Sequence, residues 1–413
     1  MAATLIINIQ LLVGVSNPAQ PLRGKDLATL SSIENAYLII EDDEIAKIGA
    51  MAELRSDVSR LTTIDASNQI ILPAWCDSHT HLVFAASRED EFVDKIKGLS
   101  YADIAAKGGG ILNSAKKLHD ASEDELFNSA WKRLEEISKL GTGAVEIKSG
   151  YGLSVEDELK MLRVIKKLRE KSNLIIKSTF LGAHTYPLQY KENHQGYIDL
   201  IINEMLPVIA AEKLADYIDV FCESGFFSAE ETETICKAGM QYGLKPKIHA
   251  NQLNLSGGVE VGIKLGALSV DHLETMDGTL IKALAKSNTI GTLLPTAAFF
   301  LRMPFQPARE MADAGCAIAL ATDYNPGSSP SGNMNLVIAM SCIQMKLLPE
   351  EAINAATING AFAMEVDKQA GSIAVGKKAN LIFTKPIPSL AYLPYAFGNN
   401  LVEKVMIGGE TCA

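Results

Sequence analysis

The residues best equipped for chemistry in this sequence are the two histidines of Asp77-Ser78-His79-Thr80-His81, which directly follow the apolar run Ile70-Ile71-Leu72-Pro73-Ala74-Trp75-Cys76. Side chains of an extended strand repeat with period two, so His79 and His81 point to one face about 7 Å apart along the backbone and can converge on one ion. Neutral imidazoles suit a borderline ion such as Zn²⁺ or Fe²⁺, and a pair leaves room for further ligands and an activated water. An isolated His-x-His more often has no such role. The weight comes from the ends of later apolar runs, which read Leu181-Gly182-Ala183-His184, Ile248-His249-Ala250-Asn251-Gln252, Val270-Asp271-His272 and Ala321-Thr322-Asp323. Five of the seven histidines fall at such ends. The other two, His119 in a polar helical stretch and His194 in the expected loop 191–196, read as solvated surface residues.

Something must hold these positions together. Short apolar runs at 69–76, 143–148, 174–181, 217–222, 247–249, 267–271, 289–294 and 317–321 alternate with amphipathic helical stretches such as 123–139 and 155–171. Eight strands with crossover helices predict an α/β fold, a parallel (β/α)₈ TIM-like barrel over residues 68–370. Residues 1–67 and 371–413 carry short β-like runs (4–12, 37–41, 44–48, 380–384 and 404–407) and are expected to join in one small β-sandwich domain beside it. Barrel enzymes carry their chemistry at the C-terminal ends of the strands, which is where the histidines and aspartates fall.

Composition narrows the partners. The 413-residue chain is 47% apolar and 21% charged, ordinary values for a globular enzyme, and its formal charge of −11 argues against nucleic acid and anionic membranes. A small-molecule substrate is expected. The six cysteines form no close pair in sequence and several lie in apolar runs, which suits free thiols in a reducing cytoplasm. The N-terminal apolar run lacks a basic start, and no stretch reaches the ~18 apolar residues of a membrane span. There is no solenoid-period repeat and no low-complexity segment.

Taken together, the His-x-His, the later histidines and the aspartate after the last strand resemble the amidohydrolase superfamily. That resemblance implies metal ligands His79, His81, His249 and Asp323, with His272 beside the water. The rim after the fourth strand reads Phe221-Cys222-Glu223, without the lysine that holds a second ion in some members, so one divalent ion per chain, Zn or Fe, is implied. Lys148, on the second strand, reads as a structural ion pair.

Longer strings are similar to the imidazolonepropionase family within that superfamily. They are His79-Thr80-His81-Leu82-Val83-Phe84-Ala85 with Ser87-Arg88, Gly108-Gly109-Gly110-Ile111-Leu112, Glu146-Ile147-Lys148-Ser149-Gly150-Tyr151-Gly152-Leu153, Phe180-Leu181-Gly182-Ala183-His184, and Ala321-Thr322-Asp323-Tyr324-Asn325-Pro326-Gly327-Ser328-Ser329-Pro330. The resemblance implies hydrolysis of the ring amide C–N bond of 4-imidazolone-5-propanoate to N-formimino-L-glutamate, a step of histidine degradation, by a cytoplasmic homodimer. Under it, Asp323 moves the proton and His272 stabilises the carbonyl oxygen. Arg88 and Tyr151 hold the propionate, His184 and Gln252 contact the ring, and Asn325, Gly327 and Ser328 contact substrate or product oxygens.

Each contact has a plainer alternative. Arg88 lies in a charged stretch that could be a solvated helix face, Tyr151 could be turn packing, Asn325-Pro326-Gly327 is first of all a turn, and the glycines at 108–110 are a flexible loop or part of a lid. Gln252 stands where many ring deaminases carry a proton-shuttling Glu, and an amide cannot take that role. This weakens the rival reading, a cytosine- or guanine-type aminohydrolase. A non-catalytic assembly protein on the same scaffold would usually have lost ligands, whereas all four are present.

Overall fold

The computed structural model describes residues 3–55, 61–99 and 109–412. Its centre is a sheet of eight parallel strands paired in chain order: β6 (Trp75–Thr80), β7 (Thr142–Lys148), β8 (Ile175–Ala183), β9 (Tyr217–Cys222), β10 (Lys245–Ala250), β11 (Ser269–His272), β12 (Ile290–Leu293) and β13 (Ile318–Leu320). The last strand returns to the first. Thr80 bridges to Tyr324 in parallel, His81 N–H donates to Tyr324 O at 2.9 Å, and Asp323 N–H donates to His79 O at 3.0 Å. Asp77 adds a side-chain clasp, its carboxylate accepting from Thr322 N (3.0 Å) and Thr322 Oγ1 (2.7 Å). The barrel thus closes at His79, His81 and Asp323.

The remaining strands form a mixed sheet from the two chain ends, in the order β16 (Glu410–Thr411), β15 (Val402–Ile407), β14 (Leu381–Thr384), β5 (Ile70–Pro73), β1 (Ala3–Val13), β2 (Ser32–Glu41) and β3 (Glu44–Ala50), with β4 (Thr62–Asp65) also on β1. The apolar run at 69–76, read as one barrel strand, is divided between the two sheets. Residues 70–73 pair with β1 and β14, Ala74 N–H donates to Asn380 O at 2.9 Å, and Trp75 N–H turns to Gly141 O at 2.8 Å. Pro73 ends the first segment because it has no N–H to extend a ladder. The barrel strand therefore begins six residues later than expected and contains His79 within it.

The helices at 123–139 and 155–171 have the bounds their periodicity predicts. In Glu123–Lys139, Ser122 and Glu125 form a reciprocal capping box, three acids fill the positive first turn, and Leu126, Ala130, Leu134 and Ile137 make the buried stripe. All six cysteines are free thiols, four of them buried. Among the described residues no helix is long and apolar enough to cross a membrane.

Candidate active site

At the C-terminal mouth of the barrel, His79, His81 and His249 bring one ring nitrogen each into a group spanning less than 4.8 Å, and His79, His272 and Asp323 form a second group of the same size. The separations are specific. His249 Nε2 lies 3.4 Å from His81 Nε2, and Asp323 Oδ1 lies 3.6 Å from both His79 Nε2 and His81 Nε2. The edges of a tetrahedron with ligand bonds of ~2.0–2.2 Å are about 3.3–3.6 Å, so this donor set has the span of a four-coordinate ion. His79 Nε2 is buried and makes no hydrogen bond in the structure, a cost that a bound cation would remove. The residues fit a divalent metal.

Two of the three imidazoles, those of His79 and His249, have a carboxylate at Nδ1. Asp271 Oδ2 lies 2.6 Å from His79 Nδ1, and since an ionised carboxylate only accepts, Nδ1 carries the hydrogen and Nε2 keeps its lone pair. Asp219 Oδ2 lies 2.9 Å from His249 Nδ1, while Asp219 Oδ1 accepts from His249 N–H at 3.1 Å. These acids belong to a wholly buried ionic network. Lys148 Nζ reaches Glu146 Oε1 (2.6 Å), Asp219 Oδ2 (2.8 Å) and Asp271 Oδ2 (3.6 Å), and Lys247 Nζ reaches Glu146 Oε2 and the carbonyl of Ser78 (3.0 Å). Lys148 is the structural ion pair that its strand implied. Its neighbouring carboxylates outweigh burial and keep it firmly protonated, and Asp219 is held well below the usual carboxylate range by His249 and Lys148 despite its burial. Asp219 and Lys247 carry no signal at the sequence level beyond being charged residues inside apolar strands, and Glu146 appeared there only as the first residue of a family-like string, with no role. Asp271 stood in a rim string, but the neighbouring His272 took the role.

The backbone is strained at the same place. His272 (φ +86°), Leu273 (φ +66°) and Asp323 (φ +53°) all lie in the left-handed region, where a non-glycine residue costs on the order of 1–3 kcal/mol. Burial raises the Asp323 carboxyl above its ordinary range, with His272 and His249 opposing it. For His272 burial works downward, but Glu274, 3.5 Å from Nδ1, outweighs it and the imidazole is raised. Burial holds the His79 and His81 imidazoles well below their ordinary value and takes His184 down to about 3.

Above the cluster is a cavity of about 740 Å³ whose walls include His81, Arg88, Tyr151, His184, His249, Gln252, His272, Asp323, Asn325, Gly327 and Ser328. Every residue singled out in the sequence except His79, which lies beneath, therefore borders one space. His184 stacks on His81 (centroids 5.3 Å apart) and its Nδ1 donates to Gly150 O at 2.9 Å. Tyr151 is held in a turn whose Gly150, Gly152 and Leu153 N–H groups all donate to Glu158. A Cβ at Gly152 would lie 2.3 Å from Glu158 N, so only glycine fits there. Arg88 is not a solvated helix-face residue: it precedes the helix Glu89–Ile96, its side chain is 11% exposed, and Nη2 occupies the space that a Cβ at Gly327 would need, 1.4 Å away.

Asn325 does use its side chain for the turn. Oδ1 accepts from Gly327 N and Ser328 N (2.8 Å each), and Nδ2 donates to Asp323 O (2.6 Å) and Ser328 Oγ (2.8 Å). Gly108 lies outside the described residues. Gly110 (φ +84°) caps the helix Ile111–Asp120 and donates its N–H to Glu91 Oε1 at 3.0 Å. His119 and His194 stand outside the cluster with rings 67% and 45% exposed, although His194 opens the helix His194–Leu200 instead of lying in a loop. A more open cleft of about 1030 Å³ beside Tyr186, His194 and Glu231 contains none of the clustered histidines, so volume alone does not locate the site.

A parallel barrel with imidazoles and an aspartate converging at its strand ends is the architecture of an amidohydrolase, and the Amidohydrolase family model matches residues 70–412. The fold is similar to E. coli guanine deaminase (TM-score 0.74, 11% identity, covering 100% of this chain and 99% of that one) and to a zinc-bound adenosine deaminase from Xanthomonas campestris (TM-score 0.70, 16% identity, 99% and 92%). At those identities the likeness is one of fold alone. In sequence the chain is 59% identical to imidazolonepropionase of Flavobacterium johnsoniae over 98% of this chain and 99% of the relative, and 45% identical to that of Clostridium tetani over 94% and 93%. The chain belongs to the imidazolonepropionase family.

Proposed function

We propose that this enzyme hydrolyses the ring amide of 4-imidazolone-5-propanoate, adding water across the C–N bond to give N-formimino-L-glutamate. The observation that carries this reading is one cavity bordered by the guanidinium of Arg88 and by His81, His249 and Asp323, three members of an ion-sized donor set whose fourth, His79, lies beneath. A substrate with a cyclic amide at one end and a carboxylate at the other matches those two features.

In this reading His79, His81, His249 and Asp323 hold one divalent ion, Zn or Fe. Bound there, such an ion polarises a carbonyl and lowers the pKa of a water from 15.7 to about 7. The chain's own groups do the rest. Asp323 accepts the proton of the attacking water and delivers it to the departing ring nitrogen. His272, oriented by Glu274, donates to the carbonyl oxygen as its charge develops. Arg88 grips the propionate and Tyr151 adds a hydrogen bond, while His184 and Gln252 orient the ring. Asn325 shapes the loop that presents Gly327 and Ser328 to substrate or product oxygens. Gln252 has no proton to exchange at neutral pH, which disfavours a ring deaminase.

The homodimeric state and a cytoplasmic location belong to the same reading. The test is turnover of freshly made imidazolonepropanoate, followed by loss of its ultraviolet absorbance. Metal-replete enzyme should consume it and chelated enzyme should not; an inert replete enzyme would refute the assignment.

A further inference from the structure

The wall that carries Arg88 also carries a second cation. Lys95 sits seven residues on, near the end of the helix Glu89–Ile96, half-buried and bordering the same cavity. Its Nζ lies 3.4 Å from the carbonyl oxygen of Gly327, the residue whose Cα face is covered by Arg88 Nη2. The two cations therefore converge on one backbone position, Arg88 from the N-cap and Lys95 from the last turn of one helix. The Lys95 ammonium also faces an aromatic pair, with Nζ 5.9 Å from the Phe300 ring centroid and Phe300 stacked on Phe92 at 5.3 Å.

Among the described residues, charge on this wall is not balanced locally: the carboxylates bordering the cavity are Glu91 and Asp323, and Asp323 belongs to the ligand cluster. Glu91 is shared: Oε2 is 3.6 Å from Arg88 Nη1, longer than a good hydrogen bond, while Oε1 accepts from Gly110 N (3.0 Å) and Asn113 Nδ2 (3.3 Å). Opposite them stand Arg88 and Lys95, with Arg302 exposed at the rim. Two cations held side by side with one shared counter-charge make a site for one further anion. An ammonium has three hydrogens, and among the described residues Lys95 makes one long bond, to a carbonyl, which leaves donors for a ligand. In keeping with this crowding, burial and the neighbouring Arg88 charge lower the Lys95 ammonium below its ordinary range.

We infer that Lys95 is a second substrate-binding cation, closing with Arg88 on the tail carboxylate and making the enzyme selective for an acid over its neutral amide. This rests on the substrate reading above. A plainer role is available, in which Lys95 only braces the Gly327 loop. The two differ in what they do to ligands: a brace affects every ligand alike, and a carboxylate clamp affects only the acid.

The experiment measures calorimetric binding of imidazole-4-propanoate and of the matching propanamide to wild-type enzyme, Lys95→Met and Lys95→Arg, all brought to equal metal content and checked for equal melting temperatures. A charge-assisted contact predicts that Lys95→Met loses about tenfold or more in affinity for the acid and less than about twofold for the amide, with Lys95→Arg recovering most of the loss. In turnover, KM should rise by a similar factor and kcat should change less, as for an interaction shared by ground and transition states. Equal losses for acid and amide, or no loss, would overturn the inference. If wild-type enzyme opens the ring while Lys95→Met keeps its preference for the acid, the lysine assignment fails and the reaction stands. If Lys95 governs acid binding but imidazolonepropanoate is not opened, the lysine assignment stands and the reaction fails. Should Lys95→Met fold poorly, Lys95→Gln repeats the comparison.

Discussion

Asp271 Oδ2 lies 2.6 Å from Nδ1 of His79, with both side chains wholly buried, so the protonated edge of the imidazole faces a carboxylate and its lone pair faces the ligand cluster. Asp271 in turn is 3.6 Å from Lys148 and accepts from Ser269 Oγ at 2.5 Å, which fixes its own rotamer. Replacing it by Asn removes the charge that selects this tautomer. Asp271→Asn is expected to weaken metal affinity about 10- to 100-fold, with excess metal restoring much of the turnover. Competition against a chelator of known affinity measures this. Unchanged affinity would mean that strand packing alone orients His79.

The ligand set itself predicts stoichiometry. One divalent ion per chain is expected, because Glu223 on the rim of β9 is occupied elsewhere, accepting from Ser224 N (2.8 Å), Leu253 N (2.8 Å) and Asn254 Nδ2 (3.1 Å). His249→Ala should abolish tight binding without unfolding the barrel. Elemental analysis that finds two tightly held ions, or full occupancy in the variant, would contradict the assignment.

These two predictions differ in how far the sequence could reach them. His79, His81, His249, His272 and Asp323 were legible because strand-end position and residue type coincide, and a barrel converts strand-end position into proximity. Asp219, Glu146 and Lys247 were not, since inside an apolar run a charged residue can face the barrel interior or a helix, and only closure of the barrel decides which. The split of residues 69–76 was hidden for a related reason: a continuous apolar run has no mark for leaving one sheet and entering another, apart from Pro73. Arg88 looked like surface because its neighbours Glu89, Asp90 and Glu91 are acidic, yet the helix they begin lies along the cavity mouth.

If Arg88 clamps the propionate as proposed, Arg88→Ala loses a charge-assisted pair worth about 2–3 kcal/mol, and kcat/KM should fall on the order of 30- to 100-fold or more with metal content unchanged. Gly327→Ala should act in the same direction, because the new Cβ would displace the guanidinium that lies 1.4 Å from its position. Normal kinetics in Arg88→Ala would leave Arg88 a structural role only.

The proton-transfer assignment is separable from metal binding. Gln252→Glu should keep measurable ring opening if position 252 only orients the ring, as proposed. Asp323→Asn should lose nearly all turnover even with added metal, because one carboxylate both holds the ion and accepts the proton. His272→Asn should retain metal and lose turnover by roughly 10² or more, the scale of one lost transition-state donor. Turnover and bound metal measured together for the three variants distinguish the roles. Near-normal turnover in metal-loaded Asp323→Asn would require another base.

His184 predicts a pH dependence of stability. Burial, reinforced by the neighbouring His249, lowers its folded-state pKa to about 3 from an ordinary 6.5. Above pH 6.5 the imidazole is neutral in both folded and unfolded chains and contributes no slope. Below 6.5 the unfolded chain takes up a proton that the folded chain refuses, so stability is lost as pH falls, by about 1.4 kcal/mol per pH unit until the folded pKa is approached. Buried carboxylates such as Asp77, raised to about 7 by burial, titrate in the opposite sense, so the whole-protein profile mixes both signs. The difference between wild type and His184→Gln isolates the histidine, since glutamine can still donate to Gly150 O and does not titrate. Urea unfolding of the metal-free proteins should show wild type losing about 2 kcal/mol relative to His184→Gln between pH 7 and pH 5. Parallel profiles over that range would show that His184 takes up its proton as readily folded as unfolded, and would remove the dry, neutral imidazole from the proposed ring-binding wall.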